Sequence, residues 1–253
     1  MNRLVLSGIA LSLLAGQATA ADMRVKAPPM MPPAPVFSWT GCYLNAGVGY
    51  GLFDQEHSEF NLAGGAVVQT DTGGRGWLGR FGGGCDYQLS GGFFSNFVIG
   101  VFGDYDTMDL TGSTSLLLTG DVADEKESSA WSVGGRIGWA VAPQVLTYVS
   151  GGWAETRFDQ MNETTRFGVV NGFGFPSHTY NGWFLGGGFE YNFTWLPVQG
   201  LFLRTEYRYN SYNRDTLAEF NAATLAPSGI FMLSEKKVQT VTTSLVWRFN
   251  WFH

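Results

Sequence analysis

The sequence predicts an all-β fold, specifically an eight-stranded antiparallel up-and-down transmembrane β-barrel. Three observations carry that prediction. Segments Trp77-Leu-Gly-Arg-Phe-Gly-Gly-Gly-Cys-Asp-Tyr87, Trp131-Ser-Val-Gly-Gly-Arg-Ile-Gly-Trp139 and Trp183-Phe-Leu-Gly-Gly-Gly-Phe-Glu-Tyr191 each open and close with an aromatic residue on one side of an alternating strand. The opposite side carries Arg80 and Asp86, then Arg136, then Glu190. Glycine and aromatic residues are abundant while only 14% of residues are charged, a composition that suits a glycine-rich barrel with aromatic belts better than a soluble enzyme. Short turns also alternate with long polar stretches along the chain. A soluble domain hides its apolar side chains, whereas lipid outside and a polar lumen inside reverse that preference. An aromatic-to-aromatic spacing of about eight to ten residues, at ~3.3 Å rise and ~45° tilt, covers about 19–23 Å, close to the apolar band of a barrel membrane protein.

Residues 1–20 read as a secretory signal peptide. Arg3 supplies the positive region, Leu4 to Leu14 the short apolar run, and Ala18-Thr19-Ala20 an A-x-A cleavage site. The apolar run falls short of the ~20 residues a spanning helix needs, and no later segment is longer. Only helices and closed barrels can satisfy their backbone in hydrocarbon, so strands must do the crossing. Residues 21–38, with Ala27-Pro-Pro-Met-Met-Pro-Pro-Ala-Pro35, form a proline-rich, semi-rigid periplasmic tether. Residues 39–253 are the barrel.

Alternation then defines the strands in turn. The first, about 40 to 51, puts Cys42, Leu44, Ala46, Val48 and Tyr50 on one face. The second covers about 76 to 88. The third, about 97 to 108, points Phe97, Ile99, Val101 and Tyr105 outward and Asp104 and Asp106 inward. The fourth, about 129 to 142, turns at Pro143-Gln144. The fifth, about 145 to 156, is ambiguous, because Val145, Val149 and Trp153 compete with Leu146, Tyr148 and Ala154 for the lipid face. The sixth covers about 181 to 193. The seventh, about 200 to 210, points Leu201, Leu203, Thr205, Tyr207 and Tyr209 outward and Arg204, Glu206, Arg208 and Asn210 inward. The eighth, about 237 to 249, points Val241, Thr243, Leu245, Trp247 and Phe249 outward and Thr240, Thr242, Ser244 and Arg248 inward. Polar stretches 52–75, 109–128, 157–181 and 211–236 are expected as irregular external loops, and both ends of the domain as periplasmic.

Register follows from energy. Arg80, Arg136, Arg204, Arg208 and Arg248 share the inward face with Asp86, Asp104, Asp106, Glu190 and Glu206. A one-residue slip would turn all ten to lipid, where an arginine at the midplane costs about 2–4 kcal/mol. Balanced signs favour an ion-pair network filling a lumen that, with eight strands, is just wide enough for side chains. The competing view, paired carboxylates for acid–base catalysis at Asp104 and Asp106 or Glu190 and Glu206, lacks a supporting constellation. His57 and His178 fall in expected loops and His253 at the end, so no nucleophile–base pair is in view and no enzyme activity is expected. Cys42 and Cys85 suit an oxidising compartment. If Gly51 ends the first strand and Gly76 begins the second, antiparallel pairing sets Cys42 opposite Cys85, which favours a cross-strand disulfide over two free thiols. Two cysteines without a neighbouring histidine make an incomplete metal site. No metal or cofactor is expected, and the modest net charge of -6 without basic clusters gives nucleic-acid binding no support.

Trp39-Thr-Gly-Cys-Tyr43, Gly84-Cys-Asp-Tyr-Gln88, Gly182-Trp-Phe-Leu-Gly-Gly-Gly-Phe-Glu-Tyr191 and Arg204-Thr-Glu-Tyr-Arg-Tyr209 together resemble the small alpha-proteobacterial outer-membrane barrels of the RopB type, distantly like the OmpA and OmpX barrels. The resemblance implies a Gram-negative outer-membrane location and contacts with membrane lipid, lipopolysaccharide and the assembly machinery. It implies a structural role in envelope integrity with loops presented outside; the family's porin label gives the alternative of a narrow channel for small solutes. Some members join the mature N-terminus to peptidoglycan, which makes Ala21 a candidate attachment point, against a simple spacer. Barrels of this kind usually finish on an aromatic residue, whereas Phe252-His253 extend past Trp251 here.

Overall fold

Eleven strands hydrogen-bond into one antiparallel sheet in the computed structural model, which describes residues 38–61, 68–92, 95–116, 119–165, 167–196 and 198–249. They are β1 (Gly41–Asn61), β2 (Val68–Gln88), β3 (Phe97–Leu116), β4 (Asp121–Ala142), β5 (Val145–Phe158), β6 (Met161–Thr164), β7 (Val170–Phe175), β8 (His178–Asn192), β9 (Leu201–Tyr212), β10 (Asp215–Asn221) and β11 (Pro227–Phe249). Strands β1, β2, β3, β4, β5, β8, β9 and β11 pair in that order, and β11 closes on β1. The result is an eight-stranded ring with no free edge. No described helix is long and apolar enough to cross a membrane. The signal peptide, the tether with Ala21, and the terminal Trp251, Phe252 and His253 lie outside the described residues.

The stretches expected as irregular loops are mostly paired strand. β1 and β2 stay in register from Gly41↔Asp86 up to Glu59↔Val68, and Thr111 to Ser115, expected in a loop, pairs with β4. On the other side of the ring the same extension is interrupted. β6 continues β5 along β4, β7 runs into β8, and β10 continues β9 along β11. Dipeptides Asp159-Gln160, Pro176-Ser177 and Asn213-Arg214 mark the breaks. Strands of 21 residues such as β1 and β2 at ~3.3 Å rise and ~40° tilt rise roughly 50 Å, about twice the ~25 Å apolar band. The far half of the barrel therefore stands in water: its outer face needs no apolar groups, and its inner face mixes buried charged, polar and apolar side chains. That is why its residues carry no alternation a sequence can display.

Inside the membrane band the alternation is clear. Leu44, Val48, Phe81, Val101, Ile137, Val149, Leu185, Val241 and Leu245 point outward and are exposed. Tyr50, Trp77, Tyr105, Trp131, Trp153, Trp183 and Tyr207 form a belt on one side, and Tyr87, Trp139, Phe189 and Trp247 one on the other. Tyr50 packs edge-on against Trp77 at 5.3 Å, and Trp131 Nε1 donates to Glu155 Oε1 at 3.0 Å. Such an apolar body with a polar tip fits the headgroup level. The fifth strand resolves with Val149 and Trp153 to lipid and Leu146, Tyr148 and Ala154 buried within. Ser150 and Thr156 set that phase, because their hydroxyls donate inward to Glu206 at 2.8 Å and Glu127 at 2.6 Å.

Glycines on the inner wall make room for large lumen groups. A Cβ on Gly134 or Gly152 would come within 2.8 and 3.0 Å of the Phe184 ring, and one on Gly186 within 2.9 Å of Arg208 Cγ. Replacing lipid-facing Val48, 64% exposed, by arginine should cost about 2–4 kcal/mol of unfolding free energy in phospholipid vesicles. Denaturant titration of refolded protein checks this; a change below ~0.5 kcal/mol, usual for a water-exposed site, would contradict the assigned lipid face.

Candidate functional site

The bore of the membrane half holds the chemistry. Each of the ten charged residues assigned to the lumen faces inward and is buried. They gather in two stacked clusters. In the cluster nearer the chain ends, Arg136 grips Asp86 with two bonds, Nε to Oδ1 at 2.9 Å and Nη2 to Oδ2 at 2.5 Å, and reaches Glu190 Oε1 through Nη1 at 2.5 Å. Arg248 joins the same two carboxylates, Nη1 to Asp86 Oδ2 at 2.6 Å and Nη2 to Glu190 Oε2 at 2.8 Å. Arg204 Nε donates to Glu190 Oε1 at 2.8 Å. Asp86, Arg136, Glu190 and Arg248 lie on β2, β4, β8 and β11, which are every second strand around the ring. Signs therefore alternate at the corners of a square that spans the bore.

The second cluster lies above. Arg80 binds Asp106 through Nε and Nη2, both at 2.7 Å, and reaches Glu206 Oε2 at 3.3 Å and Thr242 Oγ1 at 3.2 Å. Arg208 Nη2 donates to Asp104 Oδ2 at 2.5 Å, and Nη1 to Ser132 Oγ at 2.8 Å. Asp104 on β3 and Arg208 on β9 stand on opposite strands of the ring. The lower cluster holds three arginines and two acids, the upper two arginines and three acids, so the pair sums to zero. Aromatic faces fill the remaining width. Arg136, Arg204 and Arg248 lie 4.5–5.0 Å from the Tyr43 ring, and Arg208 lies 4.7 Å from that of Phe184. These stacks suit the planar guanidinium, which an ammonium could not replace.

Apolar layers bracket the charges. Trp39, Leu146, Phe202 and Val246 close the near end, with Trp39 and Phe202 rings 5.3 Å apart. Leu78, Met108, Leu110, Tyr212 and Val238 cover the far end. Above them Lys236 is buried between Gln55 and Glu125, to both of which its Nζ donates, and it faces the Phe158 ring at 4.4 Å. Cys42 and Cys85, paired in the β1–β2 register, form a disulfide at the near rim.

His57 and His178 differ in place from the sequence expectation. His57 sits in β1, buried inside the extended barrel. His178 opens β8, with Nε2 2.7 Å from Asp215 Oδ2. The amide of Thr216 and the His178 ring hold the Asp215 carboxyl below its ordinary range. Among the described residues, no three His, Cys, Asp or Glu side chains stand at metal-ligand spacing.

Residues 8–249 match the family of the outer membrane protein beta-barrel domain, and the chain belongs to that family, placing it in the outer membrane of the Gram-negative envelope. No curated protein sequence matches it. Among solved structures it is similar to OprG of Pseudomonas aeruginosa, at 12% identity and a TM-score of 0.54 over 83% of this chain and 97% of that one. It is also similar to Ail of Yersinia pestis, at 14% identity and 0.38 over 83% and 99%, and to Neisserial surface protein A, at 10% and 0.39 over 83% and 98%. The OprG likeness shows the shared fold.

Glu190→Ala strips one carboxylate from three arginines and should lower unfolding free energy by about 3–5 kcal/mol. Glu155→Ala, half-buried on the outer face at the belt, should cost no more than about 1 kcal/mol. Denaturant unfolding of both variants in vesicles measures the contrast, and equal losses would contradict a bore held by Glu190.

Proposed function

From membership of the outer-membrane β-barrel family, we propose that the chain is a structural barrel of the envelope, sealed to bulk diffusion, which carries a tall paired wall above the membrane. One observation supports this above others: ion pairs join strands on opposite sides of the ring, Asp104 to Arg208 directly at 2.5 Å and Asp86 to Glu190 through Arg136 and Arg248. Eight strands leave a bore that side chains alone can fill. Opening it would separate buried charges, each separation costing about 3–5 kcal/mol. Apolar layers on both sides of the clusters support the same reading.

The finer resemblance to the alpha-proteobacterial RopB type belongs to this proposal. So do its partners: lipopolysaccharide against the outer belt, the assembly machinery at the C-terminal strand, and peptidoglycan through Ala21. No enzymatic role is proposed. The alternative, a narrow porin-like channel, requires the square of alternating charges to part under working conditions.

Purified protein refolded into planar bilayers should give no stepwise conductance at moderate voltage. Stable, ohmic single-channel steps from the unmodified chain would replace the structural reading with the channel.

A further inference from the structure

The interrupted strands enclose a second polar feature far above the membrane clusters. A cavity of about 510 Å³ opens at the far mouth of the barrel, lined by residues of β4, β6, β7, β10 and β11. Asp121, Glu163 and Glu219 supply three carboxyl groups to its wall, and no described basic side chain lines it. Glu163 is 0% exposed and Glu219 is buried. Asn171 Nδ2 donates to Asp121 Oδ2 at 2.6 Å and to Glu163 Oε2 at 3.0 Å. The other Glu163 oxygen, Oε1, has no hydrogen-bond donor, and the neighbouring Glu219 carboxyl disfavours charge on Glu163. Phe173 and Ile230 add an aromatic and an aliphatic wall.

Two buried carboxyls in contact cannot both ionise without a cation or a shared proton. The membrane clusters solve the same problem with arginines, whereas here no described basic side chain lines the wall. We propose that the cavity binds a small organic cation, an ammonium or guanidinium head on a short apolar body, held by Glu163 and Glu219. Size decides between this and a bare metal ion. A volume of about 510 Å³ lies within the ~300–1,000 Å³ of organic ligand sites and far above the ~30 Å³ of one water. Metal-ligand spacing is absent among the described residues, while Phe173 offers an aromatic wall that an organic cation can use. The inference goes beyond the structural reading and does not depend on whether the bore conducts.

Burial, then contact with Glu219, raises the Glu163 carboxyl to about 8. The groups facing it are Asp121 from β4, Asn171 from β7 and Glu219 from β10. Cation binding must displace the proton held there, so affinity should rise between about pH 6 and pH 8 and level off above.

The test is calorimetric titration of the full chain, refolded in detergent micelles, with n-butylguanidinium, n-butylammonium, neutral n-butanol and calcium chloride. Saturable binding of the two cations but not of butanol is expected, tighter at higher pH. Affinity should fall at least ~10-fold, about 1.4 kcal/mol, in Glu163→Gln and in Glu219→Gln, while Asp159→Asn on the outer wall binds like the unmodified chain. The two glutamine variants are independent, so failure of one to fold leaves the other decisive. Absence of saturable binding, unchanged affinity in both glutamine variants, or calcium binding tighter than either organic cation would overturn the proposal. The first result would leave a carboxyl pair that only shares a proton, and the last a metal site.

Discussion

The fold depends on one constraint: an arginine in this wall has only two directions to face, and one of them is hydrocarbon. Successive side chains of a strand point to opposite faces, so the choice made at Arg204 binds Glu206 and Arg208 to the same side and sends Leu203, Thr205 and Tyr207 to the other. Once five guanidinium groups enter a narrow bore, each must meet a carboxylate, and the carboxylates must come from other strands. Asp86 and Glu190 answer Arg136 and Arg248 around the ring. Desolvation makes such a network weak evidence for net stability. Its larger effect is on register, because a slipped strand would break several pairs and expose their charges to lipid.

Space inside the bore follows from the same demand. Bulky guanidinium and aromatic groups need a wall that yields, and glycines stand where the lumen is fullest. Gly134 and Gly152, register partners on β4 and β5, leave the gap into which Phe184 projects. Gly188 stands beside the Tyr148 hydroxyl. Glycine in a strand ordinarily weakens it; here closure into a ring and packing of the lumen offset that loss.

The membrane half of this architecture was legible in the chain because lipid and lumen impose opposite chemistry on alternate residues. Strand phase, inward charges and the Cys42–Cys85 register could all be read from spacing. Legibility ended where lipid ended. Above the aromatic belt the outer face is wet and the inner face buries charged, polar and apolar side chains together, so the upper parts of β1 to β4 and the whole of β6, β7 and β10 look like loop in sequence although they pair as strands. The phase of β5 was hidden for a related reason: Tyr148 and Leu146 are apolar enough for lipid, and only the inward partners of Ser150 and Thr156, Glu206 and Glu127, decide the matter. The acidic cavity at the mouth could not be anticipated, since Asp121, Glu163 and Glu219 converge only after three short strands assemble.

Inward charge pairing within a sealed cylinder is most directly tested by spin labels placed singly along β9, Leu201–Tyr212, in protein refolded into vesicles. Collision with oxygen reports hydrocarbon, and collision with a water-soluble nickel chelate reports open aqueous space. Labels at Leu203, Thr205 and Tyr207 should collide strongly with oxygen, while those at Phe202, Glu206 and Asn210 should meet neither reagent. Loss of the two-residue period, or strong nickel collisions at the inward positions, would contradict a filled bore and point to a different register or to a water-filled pore.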